Sequence, residues 1–306
     1  MEGRLFMGLS VRQLRYFVAV AEAGQVSAAA RELFVSQSSV TTAMQQIEQR
    51  LGTAVLHRTS RGVALTSAGE ALLPKARQIL DLLAEAEAVT GADSRVEGVV
   101  RVGVSYTVMG YFLPQHVQRL AALHPGLKVD WREVDRARIE EGVVAGDLDF
   151  GLLLTSNVAD DERLEHETFV HSRRRLWMAP THLLAGRDRV RLADVEQYPY
   201  ALLTVDEADV TTRAYWGDRP MDVLIRTSSI EAIRSVVANG NAVTVLSDMV
   251  YRPWSLEGRR IDTTLLRDPV PDMRIGLAWA RGREFSPGMT ALHDYFYRLF
   301  CTPALG

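Results

Sequence analysis

The sequence predicts an α/β protein carrying an all-α, winged N-terminal head, with one long connecting helix and a larger two-lobed α/β body. Three features carry that prediction. Residues 27–52 form two helical patterns around a tight turn. An apolar stripe at helical spacing then runs from Ser67 to about Val89. From Gly98 the periodicity changes to short buried-strand runs separated by helical patterns.

In the head, Ser10-Val11-Arg12-Gln13 fits a capping box: the serine serves free amides of the first turn and the glutamine reaches back. Leu14, Phe17, Val18 and Ala21 recur at helical spacing, and Gly24 ends the helix. An alanine-rich second helix, small enough to pack closely on a neighbour, leads to the turn Phe34-Val35-Ser36. The helix from Gln37 carries Val40, Met44, Ile47 and Leu51 on one face, and Gln37, Ser38, Thr41, Thr42 and Gln45 on the other. Short hydroxyl and amide side chains at the start of a helix donate and accept at the range of base edges in a major groove. With Ser36 and Ser39 at the same end and Arg50 further along, these residues are the candidate contacts to double-stranded DNA. Val55-Leu56-His57-Arg58 and Val63-Ala64-Leu65, joined by Thr59-Ser60-Arg61-Gly62, read as a wing that places Arg58 and Arg61 near phosphates. The alternative is a structural three-helix bundle, which would more often expose Glu and Lys on that face.

Composition bounds the rest. At 306 residues the chain is long enough for two or three domains, and 47% apolar with 24% charged residues is ordinary for a soluble globular protein. No run is long and apolar enough to span a bilayer and the N-terminus has no signal-like apolar region, so a cytoplasmic location is expected. A single cysteine, Cys301, excludes an intrachain disulfide and a cysteine-based metal cluster. The net charge of −3 is unevenly spread: residues 1–66 hold seven arginines against four glutamates, a net +3, which leaves −6 for the remainder. A basic head on an acidic body suits a chain that meets phosphate at one end only.

Ser67-Ala68-Gly69-Glu70 is a second capping-box pattern, opening the connecting helix. Leu72, Ala76, Ile79, Leu83 and Ala86 form its stripe, which a second copy of the chain would cover in a homodimer; packing against its own chain is the alternative. Pro74 is expected to loosen the first turns. The domains are therefore placed at 8–66 (winged head), 67–92 (linker helix) and 98–306 (body), with one lobe at 98–168 and 269–306 and the other at 169–268. In the body, Val99 to Val104, Leu127 to Trp131 and Asp149 to Leu154 are expected strands, with a helix through Phe112 to Leu123 and a short one from Ile139 to Ala145. The theme restarts at Leu176 and Tyr200, with a helix opened at Ser229, strands at Ala242 and Ile275, and a C-terminal helix from Met289 to Phe300. The alternation argues for parallel sheets in two similar lobes with a cleft between them.

The whole chain resembles the LysR-type transcriptional regulators. The resemblance rests on Leu14-x-x-Phe17, Ala28-Ala29-Ala30-x-x-Leu33, Val35-Ser36-Gln37-Ser38-Ser39-Val40-Thr41, Ile47-Glu48-x-x-Leu51-Gly52, Leu56-x-Arg58 and Leu65-Thr66-x-Ala68-Gly69. Weaker matches are Gly146-Asp147-Leu148-Asp149-Phe150-Gly151, Leu192-Ala193-Asp194-Val195 and Val236-Val237-Ala238-Asn239-Gly240. It implies an effector domain folded like type 2 periplasmic binding proteins, a small-molecule co-inducer between its lobes, and a dimer of dimers on DNA; RNA polymerase is a further candidate partner, through a change in DNA bending on effector binding. Departures lie at Ser38 and Ser39, where the family usually has proline and alanine, and at Thr42, where it often has arginine.

In such a domain, ligands bind beyond the carboxyl ends of strands, where helix N-termini present free amides. The candidate effector contacts are therefore Ser105, Tyr106 and Thr107, then Thr155 and Ser156, then Thr204 and Val205, and finally Ser228 and Ser229. As a set they favour a small anion such as a carboxylate, although each alone is as readily a helix cap. Tyr106 and Tyr111 are candidates for an aromatic wall or for core, and Arg173-Arg174-Arg175 reads as a solvated patch or subunit contact rather than an anion clamp. Enzyme chemistry is not expected: there is no phosphate-loop or nucleophile-elbow motif, the seven histidines include no His-x-x-x-His pair, and no cofactor or metal site is predicted. A transport-type binding protein would suit the body alone but not the basic head.

Overall fold

The computed structural model describes residues 8–33, 35–59, 62–89, 96–158, 162–187 and 189–301, and the chain divides into two units, Met1–Ala92 and Asp93–Gly306. In the first unit, α1 (Val11–Ala23), α2 (Val26–Glu32) and α3 (Gln37–Leu51) precede a hairpin of β1 (Leu56–Thr59) and β2 (Gly62–Leu65) and the long α4 (Ser67–Val89). The first capping box is formed: Ser10 Oγ accepts the Gln13 amide at 3.2 Å and Gln13 Oε1 accepts the Ser10 amide at 2.8 Å. Gly24 closes α1 with a left-handed φ of 65°, a conformation that costs a residue with a Cβ about 1–2 kcal/mol. Phe17, Val20, Val40, Ile47 and Val55 are fully buried in one core, each contributing roughly 1.5–3 kcal/mol. Leu51, expected on this apolar face, is the last residue of α3 and is 42% exposed.

The start of α4 differs from the expected capping box. Thr66, not Ser67, is the cap: its hydroxyl accepts the Gly69 amide at 3.1 Å and donates to the Ala54 carbonyl at 2.7 Å. Glycine is needed at 69 because a Cβ there would lie 2.1 Å from the Val55 carbonyl oxygen. The Leu65-Thr66-x-Ala68-Gly69 motif thus ties α4 to the base of the wing. The helix continues through Pro74. The expected stripe is divided: Ala76 is fully buried and Leu72 packs on the head core, together with Leu73 and Leu80 from outside the stripe, while Ile79 is 45% exposed and the neighbouring Leu82 55%. Packing within the same unit therefore covers part of the surface expected to face a second copy.

In the second unit the first lobe comprises β3 (Gly98–Val104), α5 (Tyr106–Tyr111), α6 (Pro114–Leu123), β4 (Leu127–Glu133), α7 (Arg136–Ala145), β5 (Phe150–Leu154) and β6 (Leu164–Ser172). The chain then builds the second lobe from β7 (Arg174–Met178), β8 (Arg189–Val190), α8 (Leu192–Val195), β9 (Tyr200–Leu203), α9 (Ala208–Trp216), β10 (Val223–Thr227), α10 (Ile230–Ala238), β11 (Thr244–Ser247) and β12 (Asp262–Leu266). It returns through β13 (Met273–Ala280) to α11 (Pro287–Phe300). The first sheet has the order β4-β3-β5-β13-β6, the second β11-β7-β12-β8, and the parallel pair β9/β10 joins the second through a bridge from Tyr200 to Val243.

Both lobes depart from the all-parallel expectation. The returning β13 is antiparallel to β5 and β6 on either side, and β7 is antiparallel to β11 and β12. The first sheet extends to the pair Met273 and Ser172, past the expected boundary at residue 168. The expected helix through Phe112 to Leu123 is two helices: α5 starts directly after Ser105, and Pro114 opens α6 at the position where a missing amide is harmless. The weaker Gly146-to-Gly151 motif has a structural role. Gly146 ends α7 with φ 81°, and Asp149 accepts the Arg101 amide at 2.9 Å and the Arg101 guanidinium at 3.0 and 3.2 Å, with Arg283 at 3.2 Å. Burial pushes the Asp149 carboxyl up, but hydrogen bonds and charge from Arg101 outweigh it and hold the group below its ordinary range.

Candidate nucleic-acid interface and interlobe site

The polar face of α3 is laid out at its N-terminus. Ser36 caps the helix by accepting the Ser39 amide at 3.2 Å, and its hydroxyl lies 2.9 Å from that of Ser38 and 2.7 Å from that of Ser39. Gln37, Ser38, Ser39, Thr42 and Gln45 are exposed, whereas Thr41 is half-buried and its hydroxyl donates to the Gln37 carbonyl at 2.9 Å. Val40, Ala43, Met44 and Ile47 are buried beneath them. This fixes the helix rotation, so the hydroxyl and amide groups face outward. Glu48 ties α3 to the wing by accepting the amides of Val55 and Leu56 at 3.0 and 3.2 Å. A groove of about 740 Å³ between α3 and the wing is lined by Gln37, Thr41, Gln45 and His57 among others. Arg50 is exposed at the far end of α3, its guanidinium donating to the Gly8 carbonyl. Arg61 and Phe34 lie outside the described residues; of Arg58 the backbone is described, in β1.

In the second unit three turns after strands converge on a feature absent from the sequence expectations. Asp206 Oδ2 accepts the Thr107 amide at 2.7 Å, joining the start of α5 in the first lobe to the turn after β9 in the second. From the turn after β5, Asn157 Nδ2 donates to the Asp206 carbonyl at 2.8 Å and to Glu207 Oε2 at 3.4 Å. Arg136 on α7 donates to Glu207 Oε1 at 3.1 Å and to Glu140 at 2.8 Å, and these contacts, Glu140 first, hold its pKa above the ordinary value. Asp206 and Glu207 have φ of 49° and 53°, a left-handed pair that costs roughly 1–3 kcal/mol per residue and persists because the surroundings impose it.

The expected effector contacts divide around this turn. Ser105 and Thr107 are buried, and the Ser105 hydroxyl has no hydrogen-bond partner. Tyr106 is 41% exposed. Ser156 donates to Asn157 Oδ1 at 3.2 Å, the Thr204 amide donates to the Thr227 carbonyl at 2.9 Å, and Val205 opens the acidic turn Val205–Glu207. Thr155, Ser228 and Ser229 do not join this group. The Thr155 hydroxyl lies 2.7 Å from that of Thr168, Ser228 is exposed, and Ser229 caps α10 by accepting the Ala232 amide at 3.1 Å. Tyr111 makes a second contact between lobes: its hydroxyl donates to Glu231 at 3.4 Å, and the Arg234 guanidinium lies 5.4 Å from its ring centre.

With this geometry, the comparisons with known proteins decide the family. Residues 93–300 match the LysR substrate binding domain, and residues 11–70 match the bacterial regulatory helix-turn-helix protein, lysR family. The chain belongs to the LysR family. It is 32% identical over 289 residues to a probable hydrogen peroxide-inducible genes activator of Mycobacterium avium, covering 90% of each chain. It is 40% identical over 144 residues to the transcriptional regulator ClcR of Pseudomonas putida, an alignment covering 47% of this chain and 49% of ClcR, about half the length of each. The structure of full-length CbnR complexed with its target DNA superposes with a TM-score of 0.53 at 25% identity, covering 95% of this chain and 99% of CbnR.

For this LysR-family chain the residues that sequence reasoning missed are Asp206, Glu207, Asn157 and Arg136. A usable signal existed for the first two. Asp206-Glu207-Ala208-Asp209 is an acidic run separated by two residues from the strand Tyr200–Leu203, immediately following the expected contacts Thr204 and Val205. Arg136 carries no such signal: its i,i+4 pairing with Glu140 reads as ordinary helix-surface pairing, and its interlobe partner Glu207 is distant in sequence.

Proposed function

We propose that this protein is a sequence-specific DNA-binding transcriptional regulator, controlled by a small anionic organic effector held between the two α/β lobes. The observation that carries the DNA reading is the outward Ser-Thr-Gln face at the capped end of α3, fixed by burial of Val40, Met44 and Ile47. Ser36, Gln37, Ser38, Ser39, Thr41, Thr42 and Gln45 supply base-edge and nearby backbone contacts, and Arg58 and Arg61 supply phosphate contacts from the wing. Two such heads reach paired half-sites in a homodimer formed through α4, and two dimers make the homotetramer. The role proposed is regulatory rather than enzymatic, with RNA polymerase contacted from the DNA-bound form. Electrophoretic shift and footprinting on the DNA upstream of its own gene test this, and no binding at low salt would sink it.

The effector reading is supported by the unpartnered, buried Ser105 hydroxyl and by the Thr107 amide, which already receives a carboxylate from Asp206. An anionic ligand takes the place of that carboxylate, releases the strained Asp206-Glu207 turn, and changes how the lobes close. Thermal-shift screening of the full chain against a panel of carboxylates is the test; stabilisation by cationic or apolar compounds alone overturns the anion preference. Peroxide response, suggested by the name of the Mycobacterium avium relative, finds little support. A disulfide switch within one chain needs two thiols, and the one cysteine, Cys301, has its pKa raised by burial, which lowers its reactivity.

A further inference from the structure

The run Arg173-Arg174-Arg175, at the crossover between lobes, is not the uniform solvated patch its sequence suggests. Arg173 is exposed, and Arg175 pairs with Asp248 at 2.8 Å. Arg174 instead lines a cavity of about 310 Å³ whose wall includes Arg274, His171, Ser156, Thr211 and Asp272. Of the expected effector contacts, only Ser156 is part of that wall. The Arg174 guanidinium donates to the Pro271 carbonyl, and among the described residues neither Arg174 nor Arg274 forms an ion pair. His171 and Arg274 are register partners across β6 and β13, so both side chains leave the sheet on the same face. Two guanidiniums therefore meet one carboxylate, Asp272, in a recess that also offers hydroxyls from both lobes. Burial pushes the Arg174 pKa down, and the nearby negative charge of Asp272 offsets this only in part.

We propose that this hinge-side cavity is a second ligand site, taking the oxyanion group of a small phosphate, sulfate or carboxylate between Arg174 and Arg274, with Thr211 as a hydroxyl donor and Ser156 as a second once its hydroxyl turns from Asn157 Oδ1. The two arginines stand at the two chain crossovers, Arg174 at the start of β7 and Arg274 near the start of β13. Ser156 belongs to the first lobe and Thr211, on α9, to the second. A bound oxyanion thus fastens both lobes at the hinge. Asn157, also in the wall, carries the effect onward, because it holds the Asp206-Glu207 turn.

The test uses the full chain and thermal unfolding with inorganic phosphate, sulfate and succinate, each against sodium chloride at equal ionic strength. At least one of the three is expected to raise the unfolding midpoint in a saturable manner. Arg274→Gln is expected to weaken that apparent affinity by about tenfold, the loss of a charge-assisted contact; Arg274 is exposed and makes no ion pair, so folding is preserved. Thr211→Val weakens it less, and Ser105→Ala, in the interlobe site, leaves it unchanged. A response to phosphate or sulfate alone assigns a free inorganic ion, and a response to succinate alone assigns an organic acid. No saturable response to any of the three, or wild-type affinity in both Arg274→Gln and Arg174→Gln, overturns the proposal. A response lost in Ser105→Ala but kept in Arg274→Gln also overturns it, and places the anion in the interlobe site.

Discussion

Asp206 does within this chain what a carboxylate ligand would do: it reaches from one lobe to a free amide at the start of a helix in the other. The contact is held against backbone strain at Asp206 and Glu207, so it is poised rather than deeply stable. Asp206→Ala removes the acceptor and is expected to raise the hydrogen-exchange rate of the Thr107 amide by about tenfold or more, while amides of the β3 core stay protected; unchanged exchange at Thr107 would show that the contact is not formed in solution. His116 makes a separate residue-scale case. It is buried among Phe112, Phe296 and Phe300, with Nδ1 3.0 Å from the Tyr295 hydroxyl. Burial, aided by the positive charge of Arg119, pushes its pKa down from 6.5 to about 4. The neutral ring fits the fold and the unfolded chain takes the proton first. Its contribution is therefore complete above pH 6.5 and is lost as pH falls toward about 4, a loss of about 3 kcal/mol. His116→Phe is expected to lower stability at neutral pH by about 1 kcal/mol through the lost hydrogen bond, and to flatten the pH dependence of urea unfolding across that acidic window. A pH profile as steep as that of the parent protein would be the contrary result.

At the scale of elements, α4 shows how a stripe read from sequence is shared between two tasks. Leu72, Ala76 and Leu80 are used on the head, and Ile79 and Leu82 remain outward. The proposed dimer has to be built on that outward remainder. Ile79→Asp with Leu82→Asp is therefore expected to lower the oligomeric state in sedimentation equilibrium while leaving the circular dichroism of the helices intact; an unchanged mass would remove α4 from the interface. What was legible follows the same logic. Elements with one apolar and one polar face, such as α1 and α3, announce their boundaries through caps and periodicity, and the Ser-Thr-Gln face of α3 could be read outright. Strand β6 could not, because as a sheet edge it buries little beyond Leu164, Phe169 and Ser172 and its polar sequence reads as loop. The antiparallel insertion of β13 was hidden for another reason: pairing direction is set by where the chain returns, not by local composition. The interlobe contacts were half visible, since hydroxyls after strands can be located by position, but the Thr107–Asp206 pairing spans residues far apart in sequence.

For the molecule as a whole, the division of charge sets the way it meets DNA. Residues 1–66 carry a net +3 and the remainder −6, so attraction to phosphate belongs to the head while the body is repelled. Each phosphate neutralised on duplex DNA releases counterions and adds about −0.9 to the slope of log affinity against log salt. A head that neutralises about three phosphates gives a slope of about −5 for two heads on one site, and about −11 when a tetramer engages four. The measured slope thus counts engaged heads as well as testing the electrostatic reading. Thr42 supplies an internal calibration, because it is exposed on the reading face. Thr42→Arg is expected to steepen the slope by about 1 for each engaged head and to raise affinity for unrelated duplexes nearly as much as for the specific site. Fluorescence anisotropy between low and moderate salt reads both quantities. A slope near zero would mean that the basic head is not the DNA-facing surface, and a steepening confined to the specific sequence would mean that position 42 reads a base rather than a phosphate.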